Sequence, residues 1–212
     1  MYIRADFSAR IYITGQIMYS LILRLFIKNH KDMQNPEVRR QYGVLAGISG
    51  IALNSLLFII KFVVGIASSS ISVAADAVNN LSDAASSVMT LVGFKLSGKP
   101  ADKEHPYGHA RFEYLFGLLV SVVITVLGIQ TLISSVQKLI SGTGGAQYSS
   151  AAIIIIGLSI FVKVIMAVFV SKLGKSISSA ALAATAADSV SDVITTSAIV
   201  AGMLLTPYTG AR

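Results

Sequence analysis

Residues 71–96 read ISVAADAVNNLSDAASSVMTLVGFKL. The stretch is apolar and longer than the roughly 20 residues of helix that a bilayer core requires. Yet it contains Asp76 and Asp83. An acid at mid-bilayer costs about 2.5–3.5 kcal/mol on an insertion scale, so an acidic residue inside a span points first to function. Asn79 and Asp83 are four apart and share one helix face, and Asp76 lies seven before Asp83 on roughly the same stripe.

Working outward, the same kind of run recurs along the chain. Five segments are expected to span: about Val44–Ile66, Ile71–Leu96, Tyr114–Val136, Ala151–Val170 and Ile177–Leu205. The 212 residues are 54% hydrophobic and only 13% charged, against roughly 25% charged in an ordinary soluble domain. Alternation of period two, the mark of a membrane barrel, is absent. The fold class is therefore an all-α membrane protein, a polytopic helical bundle. Residues 1–43 form an N-terminal segment in which Ile11–Ile27 is expected as an interfacial helix. Residues 206–212 are a short tail.

The net charge of +7, from 17 Lys and Arg against 10 Asp and Glu, lies mostly between the apolar runs. It reads as topology and not as a nucleic-acid surface. Arg4, Arg10, Arg24, Lys28, Lys31, Arg39 and Arg40 precede the first span. Lys99, Lys103 and Arg111 lie between the second and third, and Lys172 and Lys175 between the fourth and fifth. The remaining two connections have no basic residue, which places the N-terminus in the cytoplasm of a cell-membrane protein. Lys61 and Lys138 run against the pattern near outer helix ends, where long stems are expected to snorkel to water. With no cysteine in the chain, any metal must be held by oxygen or nitrogen.

Four of the ten acids fall inside spans, and the fifth span repeats the pattern of the second: Asp188 and Asp192 are again four apart. Two such helices side by side can make a four-ligand cage. Alanines at 74, 75, 77, 84 and 85 on one and 183, 184, 186 and 187 on the other favour close packing of the two. The alternative has the acids lining a watery cavity or paired with Lys61, Lys95 or Lys163. Asp76 is expected as an outer carboxylate behind the ligands or as a proton relay, and Asn80 as packing. The loop from Asp102 to His109 offers a carboxylate and two imidazoles, His105 and His109, at the cytoplasmic mouth. They form a candidate peripheral metal site.

Three strings together resemble the cation diffusion facilitator family: Ala75-Asp-Ala-Val-Asn-Asn-Leu-Ser-Asp83, Pro100-Ala-Asp-Lys-Glu-His-Pro-Tyr-Gly-His-Ala-Arg111 and Asp188-Ser-Val-Ser-Asp192. The resemblance covers about residues 22–205. It implies a homodimeric exporter of divalent metal from the cytoplasm, driven by proton exchange, and not an enzyme. It carries the transport site onto Asn79, Asp83, Asp188 and Asp192. Asp102, His105 and His109 match a second, zinc-type site, and Arg111 matches a basic residue near the cytoplasmic charge interlock of the dimer. Six spans and a cytoplasmic C-terminal domain are normal in that family. The chain therefore reads as truncated after the fifth span, and a metal-binding fragment without transport is one reading of it.

Zinc-transporting members usually place a histidine in the transport site, and none stands there in this sequence. The asparagine and three carboxylates resemble the manganese branch instead, and an all-oxygen set suits a harder ion. Mn²⁺ is the expected cargo, with Zn²⁺, Fe²⁺ or Co²⁺ as alternatives. No cofactor is expected, and the partners are metal ions, protons, the lipid bilayer and a second copy of the chain. An intramembrane aspartyl protease would need a Gly-x-Gly-Asp signature, and a metallopeptidase His-Glu-x-x-His. Neither occurs.

Overall fold

The computed structural model describes residues 19–27, 29, 32, 35–67, 71–141 and 150–209. Its long elements are five helices: α1 (Pro36–Ala67), α2 (Ile71–Ser97), α3 (Phe112–Ser141), α4 (Ser150–Ser176) and α5 (Ala180–Thr209). Residues 19–26 form a short helix ahead of them. The fold is an all-α membrane bundle. Among the described residues, three helices are long and apolar enough to cross a bilayer by composition: α1, α3 over Phe112–Ser134 and α4 over Ile153–Ser176. α2 and α5 are of similar length but carry the acid pairs and many serines and threonines.

Local chemistry sets the helix ends. Pro36 opens α1, where its missing N–H costs nothing. The Asn35 side-chain oxygen caps that end by accepting from the Glu37 amide at 2.9 Å. The fourth-to-fifth connection is shorter than expected, because Lys172 and Lys175 belong to the last turns of α4. Ser178 adopts φ 50°, and the Ser179 amide donates back to the Gly174 carbonyl at 3.0 Å. That pattern closes a helix through a left-handed residue. α5 then starts at Ala180 and not at Ile177.

α1 and α2 pack along their length, and α4 and α5 form a second hairpin. α1 also touches α4, while α3 lies against α2 and α5. Small residues let the backbones approach. A Cβ on Gly47 would stand 2.8 Å from Leu91 Cβ and 3.0 Å from its Cα. The alanine stripes do not pack α2 onto α5 as expected. Ala74 lies against Gly65 of α1, the backbone around Leu182 and Ala183 lies against Gly174 of α4, and α2 and α5 share little surface. The two helices are instead bridged by a side chain from α4, described below.

The buried apolar core lies where the start of α1 meets the end of α4. Tyr42, Phe94, Val170, Leu173 and Leu182 fill it, joined by Leu23 and Ile27 from the N-terminal segment. Of the expected interfacial helix, residues 11–18 lie outside the described residues. The rest presents Leu21, Leu25 and Phe26 outward. α3 likewise exposes Leu118, Leu119, Val122 and Ile129, the pattern of a surface facing lipid tails.

Candidate metal site

Asp83 sits on the inner face of α2, where the spacing from Asn79 puts both side chains toward α5. On α5, Asp188 and Asp192 stand one turn apart and face back. One oxygen from each of Asp83, Asp188 and Asp192 lies within 4.8 Å of the others. The Asn79 amide nitrogen stands 3.4 Å from Asp192 Oδ1, which brings the fourth expected residue to the same place. Asp83 is buried, whereas Asp188 and Asp192 are half-buried.

A lysine closes this cluster. Lys163 of α4 donates from Nζ to Asp83 Oδ2 and to Asp192 Oδ2, each at 2.6 Å. It is 4% exposed. Asp188 makes no hydrogen bond or ion pair among the described residues. Asp76 stands apart from the cluster and pairs with Lys61 at 2.7 Å. Lys61 also donates to Asn80 Oδ1 at 2.8 Å. Lys61 therefore does not snorkel: it is 2% exposed, because two polar groups within the bundle solvate its ammonium better than a distant interface. Lys138 has no described side chain. Asn80 accepts an ammonium proton instead of merely packing.

The loop residues also converge. Asp102 Oδ1 lies 3.5 Å from His105 Nδ1, and its Oδ2 lies 3.4 Å from His109 Nε2. One ligand atom of each falls within 4.8 Å of the rest. The turn is shaped by its own sequence. Asp102 Oδ1 accepts from the amides of His105 at 2.7 Å and Glu104 at 3.1 Å. Gly108, at φ 78°, supplies the left-handed residue that brings His109 back. The His105 amide, with a smaller share from the nearby imidazoles and the Glu104 amide, holds the Asp102 carboxyl below its ordinary pKa. His109 Nδ1 lies 3.1 Å from the Pro100 carbonyl. A carbonyl can only accept, so Nδ1 carries a proton and Nε2 is the ring atom turned toward Asp102. A proton or a metal ion between Nε2 and the carboxylate would join the two.

Residues 47–211 match the cation efflux transmembrane domain. The chain belongs to the cation efflux, or cation diffusion facilitator, family. It is similar to an uncharacterized transporter of Methanocaldococcus jannaschii, with 33% identity over 164 residues, 76% of this chain and 56% of that protein. It is also similar to the manganese efflux system protein MneS of Bacillus subtilis, 33% identical over 150 residues, 71% of this chain and 51% of that one. The magnetosome protein MamM of Magnetospirillum gryphiswaldense is 38% identical over 94 residues, 44% of this chain and 30% of its own. The chain spans about half the length of the first two relatives.

Sequence reading missed two features of this cation efflux domain. Arg39 of α1 donates to both carboxylate oxygens of Glu113 on α3, at 3.0 and 2.8 Å, and to the Ile177 carbonyl. This clamps three elements at the end of the bundle that carries the loop. Glu113 lies two residues after the end of the second string, and its acidity at a helix start was the available signal. Asn54 is fully buried in α1, with an Oδ1 that has no hydrogen-bond partner among the described residues and an amide 3.7 Å from Met166 Sδ. Nothing in its apolar surroundings in the sequence marks it. Arg111 is exposed.

Proposed function

We propose that this domain exports a divalent metal from the cytoplasm, Mn²⁺ before Zn²⁺ or Fe²⁺, in exchange for protons. Asp83, Asp188 and Asp192 ligate the ion through carboxylates and Asn79 through its amide oxygen. The observation that carries the reading is the convergence of three carboxylates from two helices within 4.8 Å, inside a family that moves cations. Lys163 offsets part of their mutual repulsion, and the remainder calls for a further cation or for protons. The oxygen-only donor set favours a hard ion, and the relative MneS, a manganese efflux protein by name, points the same way.

In the proposed cycle all five helices cross the membrane with the N-terminus in the cytoplasm. The metal arrives past Asp102, Glu104 and the loop histidines, which hold a second ion at the mouth. Helix movement turns the site outward. Protons from outside then compete for the carboxylates and release the metal. Two copies of the chain work as a homodimer.

The test is metal flux in proteoliposomes, with Mn²⁺, Zn²⁺ and Fe²⁺ offered separately. Mn²⁺ flux is expected, faster when the receiving side is acidic and abolished by Asp192→Ala. Full flux in that variant would refute the site. Binding that depends on Asp192 without flux for any metal would support the second reading, a metal-binding part that needs further chain to transport.

A further inference from the structure

The proposed transport site already holds a positive charge of the protein's own. We infer that Lys163 is a tethered competitor of the transported metal. Its ammonium bridges Asp83 and Asp192 and must leave them before the ion can bind. The inference rests on reading Asp83, Asp188 and Asp192 as the transport site.

Three observations carry it. The first is position. Nζ lies 2.6 Å from one oxygen of Asp83 on α2 and 2.6 Å from one oxygen of Asp192 on α5, so a side chain from a third helix joins the two that make the site. A hard divalent ion held by the same two oxygens would sit about 2.0–2.6 Å from each. Metal and ammonium therefore claim the same point. Two cations cannot share it at such short range in a buried setting.

The second is charge. Asp76 is matched by Lys61, which leaves three carboxylates and one ammonium in the cluster. Two negative charges are uncompensated, and one divalent ion cancels them with the lysine still nearby.

The third is an exit and a landing place. Asp188 has no hydrogen bond or ion pair among the described residues, so it is the carboxylate an arriving ion meets without first displacing anything. A small cavity lined by Lys61, Asn79, Asn80, Ser159 and Thr196 adjoins Lys163 and Asp192. Asn80 Oδ1 is already held by Lys61, so the Ser159 and Thr196 hydroxyls are the acceptors it offers to a displaced ammonium on a flexible stem. As the metal leaves, the lysine returns and holds α2 and α5 together. The empty site is thus never three bare carboxylates, and metal affinity is kept low enough for release.

The experiment measures Mn²⁺ binding to the purified chain in detergent, by titration calorimetry and by the loss of the free Mn²⁺ resonance signal. The variants are Lys163→Met, which keeps the length without the charge, Lys163→Arg, which keeps the charge, and Asp188→Ala. Lys163→Met is expected to bind Mn²⁺ about tenfold tighter or more. Lys163→Arg is expected to bind no tighter than the unsubstituted chain, and Asp188→Ala to lose the binding. A merely structural lysine would give weaker binding when removed, so unchanged or weaker binding in Lys163→Met would overturn the inference. If that happens while Asp188→Ala still abolishes binding, the transport site itself stands. Binding that ignores Asp188→Ala would sink the transport site and the inference together. Should Lys163→Met fold poorly without metal, its unfolding temperature is read with and without Mn²⁺. A larger Mn²⁺-induced rise than in the unsubstituted chain supports the competitor role, and an equal or smaller rise refutes it.

Discussion

Asp102 lies on an exposed loop, yet its carboxylate is engaged by two backbone amides and faces two imidazoles. The lowered pKa means that the folded loop prefers the ionised form. This contribution is fully present above the ordinary carboxylate value and is lost as pH falls through the lowered one. Asp102→Asn keeps an acceptor for the turn but removes the charge. Zinc binding at the loop is expected to weaken by about tenfold or more, in line with losses on removing groups that support a metal site. Mn²⁺ binding that depends on Asp188 should be unchanged. Calorimetry with each metal separates the two, and equal loss of both would show that the sites are not independent. The three loop residues are close in sequence, so their grouping was legible from spacing. Which lysine would meet the intramembrane acids was not, since Lys61, Lys95 and Lys163 were all candidates and only packing chooses among them.

Helices α1 and α2 touch through glycine, and that contact positions Asp83. Replacing Gly47 by alanine forces a Cβ to 2.8 Å from Leu91 Cβ, with backbone just behind it. Gly128→Ala on α3 meets nothing within 4 Å. Gly47→Ala should lose about 1–3 kcal/mol from overpacking, whereas Gly128→Ala should be neutral or gain up to about 1 kcal/mol in helix propensity. Thermal unfolding in detergent would check both, and equal effects would mean that the α1–α2 seam yields easily. Five long apolar or half-apolar runs were enough to place the helices, with ends displaced by up to eight residues, as at the Pro36 start of α1 against the expected Val44. The partner of each small-residue stripe could not be read, because an alanine face fits any close neighbour equally well.

The bundle as a whole presents apolar side chains of α3 outward and holds the Lys61–Asp76 and Lys163–Asp83–Asp192 ion pairs between its helices. The proposed orientation can be checked simply because the chain has no cysteine. Single substitutions Glu104→Cys and Ser149→Cys lie in connections of opposite basic content. In intact cells an impermeant thiol reagent should label the Ser149→Cys chain and not the Glu104→Cys chain, and after lysis both. The opposite pattern would invert the topology, and with it the direction of the proposed export.

The sequence by itself determined the class of fold, the helices that bear acids and the spacing that puts each pair on one face. Those follow from hydrophobic run length and helical periodicity, which are local properties. The likeness to cation efflux proteins was equally readable, since its three strings are short and ordered. Only the tertiary structure decided that α2 and α5 are bridged by Lys163 instead of pressed together, that Asp76 belongs to Lys61, and that Asp188 stands without an ion-pair partner among the described residues. Each of these depends on which faces of α1 and α4 turn inward, and that is set by the packing of whole helices and not by any one segment.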